Sequence, residues 1–237
     1  MPDAALCDPH LDLVKFKYPL PHFAESLKGQ RRTKVVAIGS SSTAGEPSQN
    51  GEIKIVPFPH RLELALRQQK HSYGRRVDVL NRGIGGQEAP AELARFECDV
   101  IAEVPALVIW QVGTNAVYRA IDYNPEEISA ALAAGLDWLA ALPIDVVLMD
   151  LQYTTFIDEN LGLADKMVAR IAAAAEKAQV NVFRRFDLMV QWVKDGMTAA
   201  DMTDAQDTSN LHMSERATDC MTRSLGGAIA DALSAEV

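Results

Sequence analysis

Three consecutive serines, Ser40 to Ser42, follow a run of hydrophobic residues in the segment VVAIGSSSTAG, residues 35–45. A serine hydroxyl at the mouth of a buried strand is a candidate nucleophile, although serine and glycine also form ordinary turns and helix caps. Because a serine hydroxyl is a weak nucleophile, it needs a base to remove its proton. Of the five histidines, His212 in the segment SNLHMSE lies just before the last predicted helix. This pattern predicts acyl chemistry with His212 as general base.

Two further segments contain groups that can stabilise an oxyanion. Acyl transfer needs N–H donors aimed at the oxygen on which negative charge develops. Gly86 in NRGIGGQE offers a backbone N–H, and Asn115 in GTNAV offers a side-chain amide. The G-x-G-x-x-G pattern of a dinucleotide site does not follow the first strand, and no H-x-x-E-H, H-E-x-x-H or clustered carboxylate motif is present. We therefore expect a reaction without metal or other cofactor.

The elements that must position these residues alternate between strand and helix. Runs rich in Val, Ile and Leu predict five strands, at 34–39, 76–81, 106–112, 144–150 and 181–183. Helical spacing of apolar residues predicts helices over 57–70, 88–104, 125–142, 162–179, 187–194 and 214–234. This alternation predicts an α/β protein with three α/β/α layers and a doubly wound, mostly parallel five-stranded sheet. Since ligands bind at the carboxyl ends of such strands, the serine, glycine and asparagine segments should meet at one edge.

No internal repeat or linker divides the sequence. We predict an N-terminal arm over residues 1–32 packed on a single domain of residues 33–237, with a loop over 195–211. A formal net charge of −9 argues against a nucleic-acid partner. No run approaches the roughly 20 apolar residues that span a membrane. The oligomeric state is left open.

The compartment also stays open. Acidic residues near the N-terminus leave no apolar stretch for a secretory signal, so the protein is either cytoplasmic or a mature exported protein, periplasmic or secreted, without its leader. Cys98 lies in a predicted helix and is expected to be an inert small hydrophobic residue. Cys7 and Cys220 lie near opposite chain ends, which often meet in compact domains. A disulfide between them is an alternative that would favour an oxidising compartment.

Four separated segments resemble blocks of the SGNH hydrolases, also called GDSL-type esterases and lipases, in that family's order. GSSSTAG resembles the first block, usually G-D-S-x-T, while NRGIGG and GTN resemble the second and third, and LHMS the end of the fifth. VIWQVGTNAV and NRGIGG also resemble a bacterial branch of the family. The resemblance, over roughly residues 33 to 235, implies a flavodoxin-like fold with Ser41 as nucleophile and His212 as base. It implies that the oxyanion donors are the backbone N–H groups of Ser41 and Gly86 and the side chain of Asn115.

One position departs from the family pattern. The family's D-x-x-H places an aspartate three residues before the histidine, where this sequence has Ser209. A serine can accept a hydrogen bond from the imidazole, but it has no charge to stabilise the imidazolium. Asp207 could take the role if the loop bulges, Asp204 is a weaker candidate, and a backbone carbonyl is a further alternative. We expect a substitute acceptor and retained activity, with the third member, Ser209 or Asp207, left undecided.

The working hypothesis is a serine esterase that hydrolyses a carboxylic ester through an acyl-enzyme on Ser41. A small-molecule or glycan ester with a short acyl group is the expected substrate, and an O-acetyl group on a carbohydrate is one candidate. Tyr118, Tyr153 and Phe156 flank strand exits and are predicted to line the substrate pocket. Two alternatives stay open: an acyltransferase that uses the same acyl-enzyme, and a catalytically weakened carbohydrate-binding protein, to which Ser209 points.

Overall fold

The computed structural model describes residues 8–45, 55–69 and 76–234. These residues form one parallel sheet of five strands: β1 (Arg32–Gly39), β2 (Arg76–Gly83), β3 (Leu107–Gln111), β4 (Asp145–Met149) and β5 (Asn181–Phe183). The strand order β2-β1-β3-β4-β5 is that of a flavodoxin-like sheet, and the direction of winding reverses between β1 and β3. Every residue of β3 and β4 is buried, because helices cover both faces of the sheet.

The helices described by the structure are α1 (Leu11–Val14), α2 (Pro21–Gly29), α3 (Ser41–Ala44), α4 (Phe58–Gln68), α5 (Ala89–Leu93), α6 (Phe96–Asp99), α7 (Thr114–Tyr118), α8 (Pro125–Ala140), α9 (Thr155–Asp158), α10 (Leu161–Ala178), α11 (Arg185–Lys194), α12 (Ala199–Met202) and α13 (Glu215–Ser234). In one layer α8 packs against α5 and α10, whereas α4 packs against α13. Right-handed crossovers explain this division, because the connection from β1 to β2 runs in the opposite direction to the later ones. The predicted three-layer α/β/α fold is confirmed.

Helix α8 shows how the sequence fixes an element and its packing. The side chain of Asn124 caps the helix by accepting a hydrogen bond from the Glu126 N–H at 2.9 Å, and Pro125 occupies the first helical position. In the middle of the helix Gly135 lies against the Trp110 ring of β3. An ideal Cβ at Gly135 would lie 2.6 Å from the Trp110 ring, so only glycine allows this close approach.

The predicted continuous helix over 88–104 was wrong. The segment contains α5, α6 and a 3-10 turn at Ile101–Glu103, with non-helical backbone at Arg95 and a left-handed Val104. The break after α5 allows Phe96 to be fully buried, with its ring centroid 4.7 Å from that of Trp110 in an edge-to-face arrangement. Helical spacing of apolar residues persists across such a break, so the spacing alone did not reveal it.

The N-terminal arm contributes to the core as well as covering the surface. Val14, Leu20 and Phe23 are buried in the same cluster as the strand residues, and the Phe23 N–H donates to Asp145 Oδ2 at 2.8 Å. The arm contains α1 and α2, and the predicted loop over 195–211 contains α12. The division into an arm of residues 1–32 and a domain of residues 33–237 stays a prediction.

The two cysteine predictions concern Cys98 and the pair of Cys7 and Cys220. Cys98 lies on α6 as an exposed free thiol, and its expected inertness stays a prediction. Cys7 lies outside the described residues, and its pairing with Cys220 therefore stays a prediction. Among the helices described here, none combines the length and the hydropathy needed to cross a bilayer.

Candidate active site

The three serines lie at the exit of β1, on a turn that two glycines allow to pack closely. β1 ends at Gly39, and Ser41 begins the short helix α3. A Cβ at Gly39 would lie 2.5 Å from Thr43 Oγ1, and a Cβ at Gly83 would lie 2.1 Å from the Ala44 nitrogen. Because both positions lack a side chain, the turn can lie directly on the end of β2.

Each of the three serines has a different partner. Ser41 Oγ lies 2.9 Å from His212 Nε2. The backbone N–H and the hydroxyl of Ser40 both donate to Gln111 Oε1, at 3.0 and 2.9 Å. Ser42 Oγ accepts a long hydrogen bond, 3.4 Å, from Arg185 Nη1. Of the three hydroxyls, Ser41 is therefore the one that the structure pairs with an imidazole.

Gln111 is a buried polar residue that the sequence reasoning missed. Its Oε1 also accepts from Thr43 Oγ1 at 3.2 Å. One amide oxygen therefore holds both ends of the turn formed by residues 40–43, here called the serine turn. The side chain is 1% exposed, at the last position of β3. The signal was present in the sequence, because a glutamine interrupts the apolar run of VIWQVG just before the turn.

The carboxylate of Asp207 contacts the second ring nitrogen of His212, the one that does not face Ser41. Asp207 Oδ2 is 2.9 Å from His212 Nδ1, and it also accepts the backbone N–H of His212 at 2.7 Å. Ser209 donates to the second oxygen of this carboxylate, from its N–H at 2.9 Å and its hydroxyl at 2.6 Å. Asp204 contributes its backbone N–H to the His212 carbonyl, while its carboxylate accepts the Gln206 N–H. The structure thus brings together Ser41, His212 and Asp207, and it places Ser209 beside Asp207.

The environment keeps Asp207 ionised. Burial raises the pKa of this carboxyl, but the hydrogen bonds from Ser209 and from the backbone of His212 outweigh it and hold the pKa well below its ordinary value. A carboxylate that stays charged at neutral pH can orient the imidazole and stabilise its cation.

Residues 203–214, between α12 and α13, form the loop that contains His212, here called the histidine loop. Its backbone explains why Asp207 contacts the imidazole from five positions upstream. The loop makes two successive turns, in which Asp207 N–H donates to Asp204 O and Asn210 N–H to Asp207 O. Asn210 has a left-handed backbone, with φ of 54°. The segment after β4 holds the loop, since Gln152 Nε2 donates to Leu211 O at 3.0 Å. These contacts form the bulge that moves Asp207 into contact with the imidazole.

The predicted oxyanion donors follow β2 and β3. Asn115, which is 3% exposed, is the second residue of α7, and its Nδ2 donates to the Gln87 carbonyl at 2.8 Å. The amide carries a second N–H that this contact does not use. Gly86 has a φ of 77°, a conformation that favours glycine. A Cβ at the preceding Gly85 would lie 3.9 Å from Ser41 Cβ, so this loop runs beside the serine.

Arg119 and Tyr123, in the segment after α7, both bind the Gly86 carbonyl, and the sequence analysis did not predict either contact. Tyr123 Oη donates to the Gly86 carbonyl at 2.7 Å, and Arg119 Nη2 donates to the same oxygen at 2.5 Å. The Arg119 guanidinium also lies 5.3 Å from the centroid of the Tyr123 ring. These bonds fix the position of the Gly86 carbonyl.

The three aromatic residues predicted for the substrate pocket lie in different surroundings. Tyr118 and Phe156 are partly buried and pack edge-to-face with centroids 4.9 Å apart, next to the histidine loop, since the Phe156 N–H donates to Asn210 O. Tyr153 is buried against Phe186, and its hydroxyl donates to Asp158. Burial raises the pKa of Tyr153 to about 12. The substrate role of these residues stays a prediction.

A buried pair of charged residues lies at the exits of β4 and β5. Arg185 is fully buried, and its Nε and Nη2 donate to the Asp150 backbone carbonyl at 2.9 and 2.6 Å. The Asp150 carboxylate accepts the Phe186 N–H at 2.9 Å. Burial lowers the pKa of Arg185 to about 10 and raises the pKa of Asp150 to about 7. Through its contact with Ser42, Arg185 links this pair to the serine turn.

Stability should depend on pH through Asp150. Its folded pKa of about 7 lies above the ordinary aspartate pKa of 3.8, so between these two values the folded state keeps a proton that the unfolded state has lost. The contribution of Asp150 to stability is therefore full below about pH 4 and falls as pH rises towards 7, by at most about 1.4 kcal/mol per pH unit. Urea unfolding of wild type and Asp150→Asn across this range should show the variant gaining relative stability as pH rises. A difference that does not change with pH would contradict this prediction.

The arrangement suits acyl transfer through a serine. Hydroxyl, imidazole and carboxylate form a continuous hydrogen-bonded chain, and the loop after β2 runs beside Ser41. Within residues 8–45, 55–69 and 76–234, no group of three or more His, Cys, Asp or Glu side chains could hold a metal ion.

Comparisons with known proteins agree with this picture of the fold. A family model described as the non-GDSL lipase-like family matches residues 6–235. A search of curated proteins finds no significant match. Axe2, an acetylxylan esterase from Geobacillus stearothermophilus, superposes with a TM-score of 0.68 at 20% identity, over 83% of this chain and 94% of that one. LAE5, an alpha/beta hydrolase enzyme from the metagenome of Lake Arreo, Spain, superposes with a TM-score of 0.68 at 19% identity, over 85% and 96% of the two chains.

Solved variants of Axe2 include three described as catalytic mutants. One has alanine in place of a serine, one in place of an aspartate and one in place of a histidine. In that enzyme the aspartate precedes the histidine by three positions. At about one-fifth identity, these structural similarities show a shared fold.

Proposed function

The chain belongs to the non-GDSL lipase-like family, and we propose that it is an SGNH-type serine esterase that hydrolyses a carboxylic ester of a short acyl group. The observation that carries this proposal is the chain of contacts from Ser41 Oγ to His212 Nε2 and from His212 Nδ1 to Asp207 Oδ2, each 2.9 Å long. The resemblance of VIWQVGTNAV and NRGIGG to a bacterial branch of the SGNH hydrolases supports the same assignment.

The reaction proceeds in two steps. Ser41 Oγ attacks the ester carbonyl while His212 Nε2 takes the hydroxyl proton, and Asp207 holds the imidazole with Nδ1–H towards its carboxylate. The backbone N–H groups of Ser41 and Gly86 and the amide of Asn115 donate to the oxyanion. His212 then gives its proton to the departing alcohol, leaving the acyl group on Ser41. In the second step His212 deprotonates a water molecule, whose oxygen attacks the acyl-enzyme carbonyl. The bond from the acyl carbon to Ser41 Oγ then breaks, His212 returns the proton to Ser41 Oγ, and the carboxylic acid is released.

An O-acetyl group on a carbohydrate is the proposed natural ester. Axe2, which has the same fold, is an acetylxylan esterase, and its catalytic mutants involve the same three residue types. The contact between Asp207 and His212 supports retained catalysis over a weakened carbohydrate-binding protein, because that alternative depended on the loss of the carboxylate at Ser209. An acyltransferase would use the same acyl-enzyme, with an alcohol in place of water.

The test combines covalent labelling with a comparison of substrates. A fluorophosphonate should label the folded protein once, with the adduct on Ser41 by peptide mass spectrometry, and should leave the urea-unfolded protein unlabelled. Nitrophenyl acetate and acetylated xylo-oligosaccharides should be turned over faster than nitrophenyl octanoate. Failure of the folded protein to label, or an adduct at another residue, would contradict the proposal. Acetyl transfer to added alcohols that exceeds hydrolysis would identify an acyltransferase instead.

A further inference from the structure

A buried carboxylate joins the two loops that carry the predicted oxyanion donors. Glu88 follows the β2 loop and caps the N-terminus of α5, with 1% of the residue exposed. Its Oε1 accepts the Gly113 N–H at 2.7 Å and the Ala89 N–H at 3.2 Å, and its Oε2 accepts the Ala116 N–H at 3.0 Å. One side chain from the loop after β2 thus holds the backbone of the loop after β3.

Gly113 and Ala116, the two residues of the loop after β3 that Glu88 binds, lie on either side of Asn115. Gly113 precedes it by two positions and Ala116 follows it directly. The Asn115 side chain completes the connection by donating to the carbonyl of Gln87, the residue before Glu88. Gly113 has a φ of 95°, so the β3 loop turns in a conformation that the carboxylate contact stabilises. The orientation of the Asn115 amide relative to Gly86 therefore depends on Glu88.

We propose that Glu88 is a positioning residue that sets the distance between Gly86 and Asn115, and with it the geometry of the oxyanion donors. This inference rests on the proposed esterase function. Glu88 acts through backbone groups of its neighbours, and the atoms that touch the substrate belong to those neighbours.

The chemistry of this site requires two acceptor oxygens. Both oxygens of Glu88 accept backbone N–H groups, and a carboxylate provides an acceptor at each oxygen. Burial raises the pKa of the Glu88 carboxyl, and the hydrogen bonds from the backbone N–H groups of Gly113, Ala116 and Ala89 oppose that rise. A glutamine has one carbonyl oxygen, and its NH₂ group would face either the Gly113 N–H or the Ala116 N–H. The change of one oxygen to NH₂ is therefore enough to break one of the two loop contacts.

A second buried glutamate on α5 provides a matched control. Glu92 is fully buried, and its Oε2 accepts from Trp110 Nε1 at 2.7 Å. Its Oε1 has no hydrogen-bond partner among the described residues. Burial, together with the charge of Glu88, raises the pKa of Glu92 well above its ordinary value. A glutamine at this position can keep the one hydrogen bond, because its carbonyl oxygen can accept from Trp110 Nε1. The same substitution at both positions separates the loop contacts from a general effect of burying an amide.

The experiment compares kcat and KM of Glu88→Gln and Glu92→Gln on nitrophenyl acetate. Glu88→Gln should lower kcat by about 10- to 100-fold, since a small misplacement of transition-state donors costs up to about 100-fold. KM should stay within about twofold, because the oxyanion forms only in the reaction. Glu92→Gln should keep wild-type kcat. Equal losses in both variants, or a loss confined to KM, would overturn the inference.

A double-mutant cycle with Asn115 tests whether Glu88 acts through the oxyanion donors. In an Asn115→Ala background, Glu88→Gln should lower kcat by less than about threefold, because residues that act as one unit are non-additive. The full loss in that background would overturn the inference. Thermal unfolding should show that each variant is folded at the assay temperature. If Glu88→Gln is not, Glu88→Asp replaces it in the cycle with the same outcomes deciding, because the aspartate side chain is one methylene shorter and cannot reach both the Gly113 and the Ala116 N–H groups.

Failure of this inference and failure of the esterase function are distinguishable. If wild type is labelled at Ser41 and Glu88→Gln has wild-type kcat, Glu88 has no positioning role and the esterase remains. If wild type is not labelled by the fluorophosphonate, the esterase function fails, and this inference fails with it.

Discussion

Replacement of Ser41 with alanine is expected to lower kcat on nitrophenyl acetate by about a million-fold, the scale measured when a serine hydrolase loses its nucleophile. The hydroxyl is the atom that would form the acyl-enzyme, and no neighbouring hydroxyl shares its 2.9 Å contact with His212 Nε2 in the serine turn. His212→Ala should cost about as much, and the double variant should be no worse than either single one, because the two residues act as a unit. Initial rates and fluorophosphonate labelling measure both effects.

The neighbouring serines provide the controls for this prediction. Ser40→Ala removes one of several hydrogen bonds to Gln111, and Ser42→Ala removes the long contact with Arg185. Each should lower kcat by about tenfold or less, since the geometry of the turn is held by other contacts as well. A loss at Ser40 or Ser42 as large as that at Ser41, or substantial turnover in Ser41→Ala, would show that the nucleophile has been assigned to the wrong residue.

The second large effect concerns the group that orients the imidazole. Asp207→Asn should lower kcat by about ten-thousand-fold, because the amide neither stabilises the imidazolium nor fixes the tautomer with a proton on Nδ1. Ser209→Ala should cost about tenfold or less, since it removes one hydrogen bond to Asp207 Oδ1 and leaves the carboxylate on His212. Steady-state rates at neutral pH compare the two variants.

Asp204→Asn makes the same chemical change in the same loop and is the control for Asp207. Its carboxylate accepts the Gln206 N–H, so turnover should be unchanged within about twofold. Asp207 also accepts backbone N–H groups from Leu211 and His212, and thermal unfolding should therefore be measured alongside the rates. Full turnover in a folded Asp207→Asn variant would exclude Asp207 as the orienting group.

The candidate site lies where the winding of the sheet reverses. The strand order places β1 beside β3, and the connections from these two strands leave in opposite directions, which opens a crevice at their carboxyl ends. Ser41 follows β1 and Asn115 follows β3, on either side of this crevice. Buried polar side chains fix the loops at the edge of this crevice. Gln111 binds the serine turn, and Glu88 binds the loop after β3 that leads to Asn115. The geometry of the candidate site thus depends on buried residues that hold its loops in place.

Helix and strand positions were largely predictable because each depends on local patterns. The β5 prediction, 181–183, coincides with the observed strand, and the α8 prediction exceeded the observed helix by two residues at its C-terminus. Continuous Val, Ile and Leu runs indicate strands covered on both faces, and Pro125 marks a helix start. The prediction failed at 88–104, where the burial of Phe96 interrupts a helix. Such a break depends on a long-range contact with Trp110, which no local pattern contains.

The sequence by itself determined the alternation of strands and helices, the exits of β1 and β3 as the places of the serine and asparagine segments, and the choice of Ser41 and His212 as candidates. Only the tertiary structure decided which oxygen faces His212 Nδ1 and which buried carboxylate joins the donor loops. Strands and helices repeat with fixed periods, so their side-chain directions follow from spacing. The contacts of Asp207 and Glu88 instead depend on irregular turns at Asn210 and Gly113, where the backbone follows its tertiary partners.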